Sequence, residues 1–249
     1  MNVLITGAAS RLGRQIAAQL GTGMQVRLLD DREPDPPRGQ VDWVRGSLLD
    51  PDTAKRAVHD VDAVIHTGEP PPMLPDEPLA RDETLLDLAT RGTHVLFTAG
   101  VRAGVKRFVC GSTLEVFAAY PESVYIGPLH RPEPQPEVRQ MTRYLGEVTC
   151  REFARDHLIS VTVLRLGRLV LEEEVGDQEP DLMWLDLRDA ARAFCAALAR
   201  DTSSAVRWAQ RFAVYHLSAP FPNPRFLVPE RYDFDYRPEH SFQPSPGPS

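Results

Sequence analysis

Cysteine is scarce in this chain of 249 residues: Cys110, Cys150 and Cys195 stand far apart and form no C-x-x-C pair. A disulfide framework and a thiolate zinc site are therefore not expected, and two of the three sit in apolar settings suited to buried thiols. The seven histidines show neither H-x-x-x-H nor His-carboxylate spacing on any helix the pattern places, so no metal is expected. Lys/Arg-rich runs are missing too, and a net charge of −7 with a pI of about 5.5 argues against general nucleic-acid binding. No apolar run approaches the roughly 20 residues of a membrane span, and no charged-then-apolar leader precedes the first strand. Membrane association and secretion thus lack support, and a cytoplasmic location is the expectation. Internal repeats and long low-complexity tracts are also lacking.

What is present begins at once. The apolar run Val3, Leu4, Ile5 breaks into Thr6-Gly7-Ala8-Ala9-Ser10-Arg11-Leu12-Gly13, followed by a helical stretch over 14–20. A strand, a small-residue turn and a helix in that order bring backbone N–H groups to the positive end of the helix, where a pyrophosphate binds. Gly7 bends the chain, Gly13 allows close helix-to-strand packing, and Ser10 stands where the usual dinucleotide fingerprint has its middle glycine. Gly7, Ser10, Arg11, Leu12 and Gly13 are therefore expected at the cofactor. The next apolar run, 26–29, ends at Asp30, the separation at which a carboxylate meets the adenosine ribose hydroxyls; a strand-end carboxylate in a turn is the plainer alternative. Arg11 and Arg32 would accept a 2′-phosphate, but Asp30 would repel it, so NAD is favoured over NADP.

Length suits one substantial α/β core. Further strands are expected at 41–45, 63–66, 107–110, 161–165 and 212–217, separated by helices near 51–58, 82–103, 137–157 and 187–199. This alternation predicts a Rossmann-type doubly wound, mostly parallel sheet with helices on both faces. One domain over 1–242 is expected, with 168–242 contributing a small C-terminal substrate-side extension and 243–249 a disordered tail. Proline clusters at 70–78 and 121–136 follow strands and are expected to rim the pocket. The helix from 188 to 200 has an alanine-rich face, Ala190, Ala193 and Ala197 with Phe194, suited to close packing on the sheet.

Five further segments strengthen this picture: Gly46-Ser47-Leu48-Leu49-Asp50, Asp62-Ala63-Val64-Ile65-His66-Thr67-Gly68, Ala103-Gly104-Val105-Lys106-Arg107-Phe108-Val109, Leu164-Arg165-Leu166-Gly167 and Leu187-Arg188-Asp189-Ala190-Ala191-Arg192-Ala193. In this order they resemble landmarks of the extended short-chain dehydrogenase/reductases, the NAD-dependent epimerase/dehydratase family, over most of 1–217. The resemblance implies that Ser47, replacing an aspartate, and Leu48 lie at adenine, and that His66, Thr67 and Gly68 line the cofactor. Gly111-Ser112-Thr113-Leu114-Glu115-Val116-Phe117 resembles the segment whose hydroxyl polarises the substrate oxygen. This implies Thr113 in that role with Ser112 beside it; simple satisfaction of backbone groups at a strand end is the alternative.

The family's tyrosine and lysine are missing. Its Y-x-x-S-K-L-x-G-E, matched on Gly146 and Glu147, puts Arg139 at the tyrosine, Thr142 at the serine and Arg143 at the lysine. Arginine, with a pKa above about 12, does not shuttle protons near neutrality, but Arg143 can still donate to ribose hydroxyls. Tyr144 lies about 140° around the helix from Arg139 and should face elsewhere, which leaves Tyr120 and Tyr125 as freer candidates. Arg139 and Arg143, at i and i+4, share a helix face and would grip a carboxylate or phosphate, or else pair at the surface with Glu137 and Glu147. Glu115 matches half of an acid pair used by the family's dehydratases.

The short C-terminal part, with Trp184 ahead of Leu187-Arg188-Asp189, is similar to the uronate-dehydrogenase-like subgroup. The stretch 172–183, where that subgroup carries a carboxylate-binding arginine, has none here. The resemblance implies an NAD(P)-binding protein, an atypical oxidoreductase acting on a sugar-like or anionic small molecule. A catalytically inactive nucleotide sensor or interaction protein is the alternative, and redox-neutral chemistry on an anionic sugar-like ligand a third reading. It also implies a homodimer through the helices of 82–103 and 137–157.

Overall fold

The computed structural model describes residues 1–20, 23–32, 41–71, 73–176, 178–222, 224–229 and 231–242. The chain runs β1 (Asn2–Thr6), α1 (Arg11–Gln19), β2 (Gln25–Asp30), β3 (Asp42–Arg45), α2 (Pro51–Ala57) and β4 (Ala63–His66). Then come α3 (Pro78–Asp87), a π-helical stretch (Leu88–Gly92) and α4 (Thr93–Ala103), so the helix expected over 82–103 begins earlier and is wound differently in its middle. β5 (Arg107–Thr113), a 3-10 turn (Leu114–Phe117), α5 (Val138–Asp156) and β6 (Ser160–Leu166) follow. The chain continues with β7 (Arg168–Val170), α6 (Glu172–Val175), β8 (Trp184–Asp186), α7 (Leu187–Ala197), α8 (Trp208–Arg211) and β9 (Phe212–Leu217).

Seven strands form one sheet in the order β3-β2-β1-β4-β5-β6-β9, and every pairing in it is parallel. This is the doubly wound architecture expected from the alternation of strands and helices. From β1 the chain winds outward through β2 and β3, then returns to β4 on the other side. The crevice between the carboxyl ends of β1 and β4 is therefore the place where a ligand is admitted.

Strand periodicity divides the core. Val3 and Ile5 of β1 face α1 and α7 and join Leu12, Ile16, Ala190 and Phe194, while Leu4 faces the opposite layer with Leu96, Phe97, Phe108 and Ala154. All seven residues of β6 are buried, as a strand covered on both faces requires. The alanine stripe of α7 is buried as the pattern predicts, and α1 and α7 pack together. β7 and β8 pair in a separate two-stranded ladder that the sequence pattern did not reveal, since three residues carry no readable period.

After β9 the chain crosses back over the α1–α7 layer. Tyr232, Phe234 and Tyr236, alternating along an irregular segment, enter its core, and Phe242 packs edge-on against Trp184 at 5.3 Å. Asp189 in α7 anchors this segment: its carboxylate accepts from the N–H groups of Glu239 (3.0 Å) and His240 (2.9 Å). The tail expected at 243–249 lies outside the described residues.

Cys110, Cys150 and Cys195 are unbridged, the first two buried. Among the described residues no helix is long and apolar enough to cross a membrane, and no cluster of three His, Cys, Asp or Glu forms a metal site.

Candidate active site

A cavity of about 680 Å³ opens at the carboxyl edge of the sheet. Gly7, Asp30, Ser47 and Leu48 line one end, His66, Thr67, Gly68 and Glu69 its middle, and Ser112, Thr113, Glu115, Arg139, Arg143 and Arg168 the other end.

At the first end the turn after β1 closes on itself. Ser10 caps α1: its Oγ accepts from Gly13 N–H at 2.9 Å and donates to the Gly7 carbonyl at 2.7 Å. The serine that replaces the fingerprint's middle glycine thus ties the turn together. Gly7 has φ of 69°, and a Cβ there would meet Thr67 Oγ1 at 2.3 Å; at Gly13 it would meet the Gly7 carbonyl at 2.3 Å. Ser10, Arg11, Leu12 and Gly13 are not among the residues that line the cavity. Leu12 packs in the core, and Arg11 donates to Glu174 at 2.6 Å, joining α1 to α6.

Asp30, at the tip of β2, is buried, and its Oδ2 accepts from Ala9 N–H at 2.9 Å. Burial pushes its carboxyl up to about 6 despite that bond. His66 bridges β1 and α4, with Nδ1 2.7 Å from Thr6 Oγ1 and Nε2 3.4 Å from Thr93 Oγ1. Burial, helped by the Arg143 charge, lowers it to about 4, so the ring is neutral at ordinary pH and is not an acid or base there.

At the far end the two adjacent hydroxyls do different work. Ser112 donates to Glu147 Oε1 at 2.6 Å, and Arg165 holds the same carboxylate with two bonds at 2.9 and 2.7 Å. The Arg165 guanidinium lies over the Phe117 ring at 4.9 Å. Ser112 is therefore committed to a buried network. Thr113 Oγ1 accepts from Glu115 N–H at 3.2 Å, capping the 3-10 turn, and its O–H has no acceptor among the described residues. Of these two hydroxyls, only that of Thr113 has a donor left to offer the cavity, among the described residues.

The alternative reading of the arginine pair, surface pairing with Glu137 and Glu147, is not what the structure shows. Glu147 belongs to Arg165, and Glu137 accepts from Gln140 Nε2 at 3.0 Å. Arg143 instead reaches across the cavity to Glu69, with Nη2 3.1 Å from Oε1, and lies against Gly68, where a Cβ would sit 2.7 Å from Nη1. Arg139 is exposed on the rim, and its guanidinium has no partner among the described residues. No tyrosine and no lysine line the cavity among those residues. Tyr120 donates to the Arg131 carbonyl at 3.0 Å, Tyr125 is exposed, and Tyr144 packs with the cluster around Leu114 and Phe117. The two loop tyrosines considered as proton donors are thus directed elsewhere.

Among the lining residues not singled out from the sequence are Glu69 and Arg168. Glu69 directly follows the Asp62–Gly68 landmark, and Arg168 directly follows Leu164-Arg165-Leu166-Gly167; adjacency to those landmarks was the available signal. Arg168 stands just ahead of the arginine-free stretch 172–183, with Nη1 2.6 Å from Asp181 and Nε 3.6 Å from Glu115.

A family model described as "NAD dependent epimerase/dehydratase family" matches residues 3–181. The chain is 29% identical over 218 residues to the NAD-dependent glucose-6-phosphate dehydrogenase of Haloferax volcanii, covering 80% of each chain. It is 27% identical over 198 residues to a uronate dehydrogenase of Pseudomonas syringae pv. tomato, covering 79% of this chain and 69% of that one. A short-chain dehydrogenase/reductase superfamily protein from Agrobacterium tumefaciens, solved with NAD, superposes with a TM-score of 0.71 at 24% identity, over 90% of this chain and 80% of that one. That likeness speaks to the fold. The cofactor is NAD, and the residues fit it. A cradle at Gly7 excludes side chains, and a carboxylate at Asp30 suits two ribose hydroxyls and repels a 2′-phosphate.

Proposed function

Because the chain belongs to the NAD-dependent epimerase/dehydratase family, we propose that it is an NAD-dependent dehydrogenase that oxidises an anionic sugar. One observation carries this reading: a single cavity has a nucleotide-type end at Gly7 and Asp30 and, at its other end, the free hydroxyl of Thr113 flanked by Arg139 and Arg168. Both named relatives are dehydrogenases of sugars that carry a negative group, a phosphate in one and a carboxylate in the other, which supports the class. The binding-only alternative draws no support from them.

In this reading Asp30 takes the adenosine ribose, Ser47 and Leu48 lie against adenine, and Thr67 and Gly68 meet the cofactor with backbone. The turn over Ser10, Arg11, Leu12 and Gly13 presents the N-terminus of α1 to the pyrophosphate. Arg143 donates to the nicotinamide ribose. When bound, NAD supplies the hydride acceptor. Thr113 donates to the substrate oxygen, and Arg139 on the open rim holds the anionic group as a planar fork of donors. Of the expected substrate-side part 168–242, Arg168, Leu169 and Val170 line the cavity, while β9 and the segment of Tyr232, Phe234 and Tyr236 belong to the main core.

Calorimetric titration with NAD, NADH and NADP, followed by NADH formation on glucose 6-phosphate, glucuronate, galacturonate and neutral glucose, tests the proposal. Expected are NAD binding stronger than NADP binding and turnover of a charged sugar in preference to glucose. NAD binding with no turnover of any of the four would overturn the dehydrogenase assignment.

A further inference from the structure

Among the described residues the cavity holds no tyrosine, yet oxidation of a hydroxyl requires somewhere for its proton to go. The titratable groups that line the cavity divide clearly. Asp30 and Asp31 belong to the nucleotide end, and His66 is fixed between Thr6 and Thr93. Both oxygens of Glu147 are held by Arg165 and Ser112. Cys110 and Cys150 are sealed from water, and the Cys150 thiol is pushed well up by its contact with Cys110 and by burial. Glu69 and Glu115 remain.

Geometry separates these two. β4 and β5 pair with His66 opposite Cys110, and a Cβ on Gly68 would lie 2.7 Å from the Gly111 carbonyl. The loop leaving β4 is thus laid against the end of β5, which carries Glu69 along the strand that ends in Thr113. Arg143 fixes Glu69 Oε1 at 3.1 Å, while Oε2 has no partner among the described residues. The side chain is 30% exposed, which leaves it a path to water. Glu115 instead faces Arg168 at 3.6 Å, further out on the 3-10 turn.

We infer that Glu69 is the proton acceptor of the reaction and that Arg143 is its positioning residue, a carboxylate–guanidinium pair standing where a tyrosine and a lysine would otherwise serve. The inference rests on the dehydrogenase reading above. The C–H bond of the carbinol carbon breaks with its electron pair leaving as hydride to the nicotinamide. The O–H bond breaks with its proton passing to Glu69 Oε2, and the C–O bond becomes C=O. Glu69 then discharges the proton to solvent. A carboxylate is a weak base for a simple alcohol, so the donor class that fits is a cyclic hemiacetal, whose anomeric hydroxyl is more acidic and whose product is a lactone.

The test measures NADH formation from glucose 6-phosphate and glucuronate across pH, together with NAD affinity by calorimetry, for the wild type and for Glu69→Gln, Glu69→Asp and Glu115→Gln. Expected is a fall in kcat of about 10²–10⁴-fold in Glu69→Gln, with loss of the acid limb of kcat measured at saturating NAD, and NAD affinity within about threefold of wild type at each pH. Glu69→Asp should retain the acid limb at reduced kcat, and it keeps the test open if Glu69→Gln does not fold. A Glu69→Gln variant that keeps its kcat and acid limb overturns the assignment, as does a loss of NAD binding that accounts for the loss of rate. The same loss in Glu115→Gln with Glu69→Gln intact moves the proton to Glu115. A wild type that oxidises neither sugar overturns the dehydrogenase reading and this assignment together, and so is distinguishable from failure of Glu69 alone.

Discussion

Glu147 of α5 and Arg165 of β6 meet through two parallel hydrogen bonds of 2.9 and 2.7 Å, with 7% and 5% of their side chains accessible to water. Ser112 of β5 donates to the same carboxylate, so three elements are joined by one buried charge pair. Removing one member leaves the other charged and unpaired in the interior, which costs about 3–5 kcal/mol. Glu147→Leu and Arg165→Leu should each lose that much in urea denaturation. The double variant should recover most of the loss, because no charge is then stranded.

The neighbouring hydroxyls should separate stability from catalysis. Thr113→Val removes the cavity's free donor and should lower kcat by roughly 10²–10³-fold, with Thr113→Ser retaining most of it. Ser112→Ala withdraws one bond from Glu147 and should cost about 1–2 kcal/mol of stability with a smaller effect on kcat. Steady-state rates and melting curves on the same samples check both.

With Asp30 at the adenosine ribose, as proposed, cofactor binding should be pH-dependent. Its carboxyl is raised from 3.8 to about 6 by burial, and only the ionised form accepts from both ribose hydroxyls. NAD affinity measured by calorimetry should hold above pH 6 and fall below it, by up to about tenfold per pH unit. Asp30→Asn should bind weakly at every pH, without that slope. On the unliganded fold the sign is reversed. The folded state holds this proton more tightly than the unfolded one, so the group's contribution to stability decreases as pH rises from about 4 through 6.

Asp189 secures the C-terminal segment by accepting from two backbone N–H groups and from His240 Nδ1 at 2.9 Å, with Arg192 donating as well. Asp189→Ala should cost about 1–3 kcal/mol, since several part-buried donors lose their acceptor at once. It should also expose the segment around Tyr232, Phe234 and Tyr236 to limited proteolysis before the sheet unfolds, followed by mass spectrometry of the fragments.

The fold was legible where its signals are local. β1, the turn capped by Ser10 and the end of β2 at Asp30 occupy 29 consecutive positions, and each follows from residue type and period. The buried stripe of α7 was legible for the same reason. β7 and β8 were not, because each is three residues long and meets its partner only across α6. The burial of Tyr232, Phe234 and Tyr236 was hidden too, since an aromatic-rich segment looks alike in a loop and against a core.

The sequence by itself determined the doubly wound sheet and the family, because these are properties of spacing and identity along the chain. Tertiary structure alone decided which charges meet: Arg143 with Glu69 across 74 positions, Arg11 with Glu174 across 163, and Glu147 with Arg165 rather than with its helix neighbour. Pairings of that kind depend on where strand ends and loops come to lie in space. A carboxylate reads the same in sequence whether it is locked in a buried pair, as Glu147 is, or keeps one oxygen without a partner among the described residues, as Glu69 does.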